Sequence, residues 1–240
     1  PGITRKVVLE LAAEAGIALL TNRPLNAYAG QTLIRLADVP EIGEMGAASP
    51  DEAVAQVAAL EEEFRATIGS RLRVPDGGAS PNDWFRWADQ LRAMTGQLQG
   101  LDHWQQVEEH MISPAVGQLV QMLDQSLSGP IRETWRSWLE RYLPVLDLLL
   151  QAFRARAARQ SQAMSNRVTA GLNPLLPLAR RGESLSRKSL WVLASTPGVS
   201  TVLLGMRHPD YVSDGMEILK WAPLGDSRKI YDAMAEVHAG

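Results

Sequence analysis

The chain contains no cysteine. That excludes disulfide staples and thiolate metal sites, and it suits a reducing compartment, so a cytoplasmic localisation is expected. No run of about 18 or more apolar residues occurs, and no transmembrane helix is expected. An excess of one charge is missing too, because 24 Lys and Arg stand against 27 Asp and Glu. A nucleic-acid partner is therefore not expected. Local catalytic signatures are absent: there is no Gly-rich phosphate loop, no G-x-S-x-G elbow and no H-E-x-x-H pair. Pro1-Gly2 brings neither an initiator methionine nor a basic, apolar leader, and a helical pattern is under way by Thr4. The expectation from that start is a fragment or processed product of a longer protein, with a trimmed chain as the alternative.

What is present is ordinary globular material. The 240 residues are 45% hydrophobic and 21% charged, enough for one large domain or two small ones. The two ends share one pattern. Near the start, TRKVVLELAAEA predicts a helix over 4–15, capped by Thr4, with Val7, Val8, Leu11 and Ala12 on one face. Gly16 closes it, Ile17 to Leu20 reads as a short strand, and Thr21 to Asn26 is a polar loop around Pro24. Near the end, Ser184 or Ser186 caps a helix bearing Leu190, Trp191, Leu193 and Ala194, and Pro197-Gly198 terminates it. Val199 to Leu204 then reads as a strand of the type buried on both faces of a parallel sheet. Gly205 frees the backbone, and Pro209 suits the first turn of a further helix. Each unit ends in a loop at the carboxyl end of its strand, where α/β folds bind ligands.

Between them the periodicity is helical. Ser49-Pro50-Asp51-Glu52 is a strong helix start, for a helix running to about Ile68. Further helices are expected from Ser80-Pro81, over 101–111 and 114–127, from Gly129-Pro130, and from about Pro144 to Val168. A last short helix, capped by Asp226, is expected over 227–237.

Candidate chemistry in the helical part reads as structural. His103 and His110 lie seven apart without further ligands at metal-binding spacing. Trp84/Trp87 and Trp135/Trp138 have the spacing of a helix–helix core. The run Glu61-Glu62-Glu63 and the arginines Arg154, Arg156, Arg159 and Arg167 read as solvated faces.

Residues 3–25, ending in GIALLTNRPL, and residues 185–219, with LWVLASTPGVSTVLLGMRHPDYV, together resemble the aldo/keto reductase family. The first is similar to the helix, seventh strand and Pro-Leu loop of that family. The second is similar to its last repeat, with PGV, eighth strand, Gly-x-Arg and helix in one register. The resemblance implies an α/β fold, the C-terminal portion of a (β/α)8 TIM barrel. Residues 1–40 and 183–240 would be barrel segments, and 41–182 a mostly α-helical insertion placed to act as a lid. It implies an NAD(P)H-dependent oxidoreductase, NADP with NAD as the alternative, acting on a small-molecule carbonyl. Pro24, Leu25 and Asn26 would lie near the pyrophosphate. Gly205, Met206, Arg207 and His208 would lie near the adenosine phosphate, and Asp214 on the adenine side.

Three positions depart from the family pattern. Asn22 stands where an aromatic residue stacks on nicotinamide, Tyr211 where a second arginine is usual, and Gly215 where an asparagine is usual. The family's catalytic Asp, Tyr, Lys and His belong to earlier strands, so no catalytic residue is assigned in this chain. A non-catalytic dinucleotide-binding module, or one whose helical part binds a protein partner, is the alternative.

Overall fold

The computed structural model describes residues 5–29, 32–39, 49–72, 80–206 and 209–237. The described chain is dominated by helix, with few and short strands. It divides into two compact units: Pro1–Pro40 with Ser161–Gly240, and Glu41–Gln160. Residues 161–182 thus belong with the strand-bearing unit.

In the strand-bearing unit, α1 (Arg5–Glu14) leads to β1 (Leu19–Asn22), and α7 (Leu185–Ala194) leads to β4 (Val199–Leu203). The Thr4 cap lies outside the described residues. β1 and β4 pair in parallel, with Leu20 opposite Thr201 and Asn22 opposite Leu203. The expectation that Val199 to Leu204 is buried on both faces is not met. Burial alternates along β1, Leu20 is 59% exposed and Leu203 is 45% exposed. The reason is that among the described residues this sheet has two strands, too few to bury both faces of an apolar run.

Gly198 turns the chain from α7 into β4 with φ at +89°, and a Cβ there would stand 3.1 Å from the Leu9 carbonyl oxygen of α1. Glycine answers both demands at once. Ser184 caps α7 by accepting from the Arg187 amide at 3.3 Å, while the Asp38 carboxylate accepts from the Leu185 amide at 3.2 Å.

A second sheet is a hairpin, β2 (Asn26–Ala29) with β3 (Thr32–Arg35), in which Ala27 faces Ile34. Its alternation is weak in the sequence, since alanines take half of β2. Ile34 is 1% exposed and joins Val168, Leu172, Leu185, Trp191 and Ile230 in the core of this unit. α8 (Pro209–Met216) and α9 (Ser227–Val237) complete it.

The helical unit opens with α2 (Pro50–Thr67), whose capping box is formed as expected. Ser49 accepts from the Glu52 amide at 3.2 Å and Glu52 accepts from the Ser49 amide at 3.2 Å. α3 (Trp87–Met94) starts later than Ser80-Pro81 suggests, because those residues form a separate 3-10 turn over Pro81–Asp83.

Two further expected breaks are bridged. α4 (Leu101–Val107) continues through a π turn, Glu108–Ile112, into α5 (Ser113–Ser126). Pro114 lacks the amide that would bond one turn back, and widening the turn accommodates its ring without ending the helix. α6 (Pro130–Leu172) is one helix of 43 residues with Pro144 inside it. Its residues through Gln160 count with the helical unit and the rest with the other. Tyr142, Leu146 and Leu149, on both sides of the proline, are buried, and their packing outweighs one lost hydrogen bond.

The core of the helical unit is aromatic. Phe64, Phe85, Trp135, Trp138 and Tyr142 contact one another, with Trp138 stacked on Tyr142 at 4.4 Å between ring centroids. The tryptophans of α6 are therefore core, as their spacing indicates. Glu61 is a correction: it is 2% exposed, not part of a solvated face. It falls in the stripe Val54, Val57, Glu61, Phe64 of α2, four and three residues from apolar neighbours. No helix among the described residues is long and apolar enough to cross a membrane.

Candidate functional site

Parallel pairing gives β1 and β4 a common carboxyl end. Asn22, the last residue of β1, is opposite Leu203, the last of β4. Two side chains add to the main-chain ladder: Ser200 Oγ accepts from the Leu19 amide at 3.2 Å, and Thr21 Oγ1 donates to the Thr201 carbonyl at 3.4 Å. The loop 22–26 and the segment 204–206 therefore leave one sheet side by side.

The first loop is tightly organised. Asn22 is exposed, and its Oδ1 accepts from the Arg23 amide at 2.8 Å. Arg23 sits in the left-handed region at φ +53°, which turns the chain sharply before the buried Pro24. The Leu25 carbonyl accepts from the Leu36 amide at 2.8 Å, and the Asn26 amide donates to the Arg23 carbonyl at 3.0 Å. Asn26 Oδ1 accepts from Arg35 Nη1 at 2.9 Å. Thus Asn26 opens strand β2, and the Pro-Leu loop is locked at its far side by a hairpin. Arg35 had no local signal in the sequence, because only the strand register brings it opposite Asn26.

On the second segment Gly205 and Met206 are exposed, and a Cβ on Gly205 would meet nothing within 4 Å. Arg207 and His208 lie outside the described residues. Tyr211, on α8, is 59% exposed. Asp214, one turn further, is engaged at the start of α7. It accepts from Ser186 Oγ at 3.0 Å, and its other oxygen lies 2.7 Å from Arg187 Nε. The Glu183 carboxylate, hydrogen-bonded to Arg187, and Asp214 beyond it push that guanidinium above its ordinary pKa.

Gly215 is buried beside Asp214, and a Cβ there would come 2.8 Å from Leu204 Cδ2 and 3.4 Å from Met206 Cε. α8 thus approaches the strand exit closely at Gly215, where a side chain would displace the Leu204 tip. The pairing of Asp214 with Ser186 and Arg187 was legible only as polar residues in the first turn of a helix.

Elsewhere the candidates stay structural. His103 Nδ1 accepts from the Gln99 amide at 3.2 Å, and His110 is exposed. No group of three or more metal-ligating side chains occurs among the described residues. Arg154 pairs with Glu108 of the π turn, while Arg156, Arg159 and Arg167 are exposed on α6. Lys188 is buried and its Nζ donates to the Arg181 carbonyl at 2.6 Å; burial pushes its pKa down, and Asp38 and Glu183 partly offset that. No family model, curated protein or solved structure matches the chain.

Proposed function

We propose that this chain carries the cofactor-gripping end of an aldo/keto reductase-like, NAD(P)H-dependent oxidoreductase that reduces a carbonyl. On this reading β1 and β4 are the last two strands of a (β/α)8 barrel. The observation that carries it is the parallel pairing of strands far apart in sequence, which delivers the two candidate loops to one end of one sheet. Further support comes from Ile17, Leu20 and Leu203, apolar side chains of the strand region that stand exposed and that a closed barrel would cover.

Pro24, Leu25 and Asn26 would then run along the pyrophosphate, with Gly205, Met206, Arg207 and His208 at the adenosine phosphate. A guanidinium suits a 2′-phosphate, and the open space around Gly205 lets a backbone amide approach an anion. Asp214 would face the adenine side, and Tyr211 would stand at the place of the second arginine. A carboxylate has about four lone-pair sites, so Asp214 retains acceptor capacity beyond Ser186 and Arg187. The nicotinamide, when bound, supplies hydride to the carbonyl carbon; the residues of this chain bind and orient it. The cysteine-free composition suits work in the cytoplasm.

A second reading, a non-catalytic dinucleotide-binding or protein-interaction module, is favoured by one observation. Asn22, in place of a stacking aromatic, has its amide oxygen occupied by the Arg23 amide. Titration of NADPH and NADH into the folded chain, followed by calorimetry, tests the first reading. NADPH is expected to bind more tightly, and Arg207→Ala to weaken NADPH more than NADH. Absence of binding by either nucleotide to a chain with intact circular dichroism would sink both dinucleotide readings.

A further inference from the structure

α5 has an inner and an outer face of unlike chemistry. Inward, Val116 and Leu123 are buried, and Leu119 and Val120 pack against the same core. Outward, Pro114, Gln118, Gln121, Met122 and Gln125 are exposed, and so is the small Gly117. No charge stands among them. Residues 111–129 contain one charged residue, Asp124, where a chain of 21% charge would place about four. Asp124 is half-buried and engaged with α6, its carboxylate accepting from Trp135 Nε1 at 2.8 Å. A helix face that meets only water normally carries charged side chains. Depletion of charge together with exposed methionine is instead the composition of an interface centre.

The spacing is that of a helix–helix seam. Pro114, Gln118, Gln121 and Gln125 follow at intervals of four, three and four, as the seam positions of a coiled coil do. They run along about 17 Å of helix. Gln118, Gln121, Met122, Gln125 and Ser126 border a shallow groove. Gly117 holds no neighbour away, since a Cβ built there would meet nothing within 4 Å. Met122, 41% exposed, offers an unbranched and adaptable contact.

We propose that this face of α5 pairs with the same face of a second copy of the chain, the two helices antiparallel about a two-fold axis beside Gln121. The occupant follows from self-complementarity. A carboxamide both donates and accepts, so glutamine pairs with glutamine across a two-fold axis, whereas a charged stripe would repel its own copy. An axis between Gln121 and Met122 sets Gln118 opposite Gln125 in both directions, and Gly117 opposite Ser126. It also sets the amide-rich start of each α5 beside the carbonyl-rich end of the other. A strongly charged partner would find no opposite charge here. One pair of 14-residue helices makes a small interface, below about 1,200 Å² in total, so the dimer forms and parts with concentration. Pairing is independent of dinucleotide binding, since the whole stripe lies in the helical unit.

The test is analytical ultracentrifugation of the full chain from about 1 μM to about 1 mM. The mass is expected to rise from 26.3 kDa toward twice that value, in low and in high salt alike. Gln121→Lys and Gln121→Glu each bring like charges together at the axis and should weaken association at least about tenfold. An equimolar mixture of the two should associate more tightly than either alone. Because the chain has no cysteine, Gln121→Cys supplies a single thiol, and air oxidation should link it into a disulfide dimer. Gln56→Cys, exposed on α2, should stay monomeric. A wild-type chain that is monomeric at about 1 mM overturns the proposal and leaves the face to another partner. A dimer that parts in high salt, one that Gln121→Lys leaves unchanged, or a mixture no tighter than its components also overturns it. Should a charged variant fail to fold, equal cross-linking through positions 121 and 56 overturns it.

Discussion

Trp138 is the residue whose loss the helical unit should feel most. Its side chain is 1% exposed and lies among four rings: Tyr142 at 4.4 Å, Phe85 at 4.9 Å, Phe64 at 5.0 Å and Trp135 at 5.4 Å between centroids. Its indole Nε1 donates to the Leu60 carbonyl of α2 at 2.8 Å, so it joins α6 to α2 by both packing and a hydrogen bond. Truncation to alanine removes the stack and leaves a cavity lined by rigid aromatic rings, which collapse poorly. About 3–5 kcal/mol is expected. Phenylalanine keeps a ring in the stack but loses the indole N–H and part of the volume. About 1–2 kcal/mol is expected there, mostly from volume, because the Leu60 carbonyl lies within α2. Urea denaturation followed by far-ultraviolet circular dichroism measures both, with unchanged m-values required for the comparison. If Trp138→Phe costs as much as Trp138→Ala, the hydrogen bond dominates and the packing argument fails. An alanine variant losing less than about 1 kcal/mol refutes it outright.

Pro144 is exposed inside α6, where it removes a hydrogen bond, so Pro144→Ala is expected to stabilise by about 1 kcal/mol or more and raise the melting temperature. Gly198→Ala places a Cβ 3.1 Å from the Leu9 carbonyl oxygen at a φ of +89°, and should cost about 1–2 kcal/mol in the same denaturation assay. Glu61 has a folded-state pKa above its unfolded one, so the folded chain binds the extra proton; its contribution to stability falls as pH rises from the ordinary glutamate range through the raised value. Glu61→Gln should flatten that part of the stability–pH curve, and an unchanged slope would contradict the assignment. Arg141→Ala, which breaks a largely exposed pair with Glu63, should barely move the urea midpoint, and less still in high salt.

The local elements were written in local chemistry. Ser49-Pro50-Asp51-Glu52 contains a complete capping box, so the start of α2 needs no information from elsewhere. Ser184, Pro197 and Gly198 likewise bracket α7, and the i, i+3 tryptophans of α6 mark a core face. Proline was the misleading signal. Pro114 and Pro144 lower local helix propensity, but buried neighbours on both sides carry the helix through.

Only the tertiary structure decided the rest, because it depends on residues distant in sequence. The pairing of β1 with β4 is a register between residues about 180 apart, and no local pattern encodes it. The same holds for Arg35 on Asn26 and for Asp214 on Ser186 and Arg187. Glu61 shows the division most plainly. Its place in the apolar stripe of α2 was readable at i, i+3 and i+4 spacing, yet three acids in a row suggest a wet face. What keeps Glu61 inside is a set of unsatisfied amides at the start of α3, contributed 26 and 27 residues later. Sequence determined where helices begin and which faces are apolar; long-range hydrogen bonding and packing decided which polar groups those faces enclose.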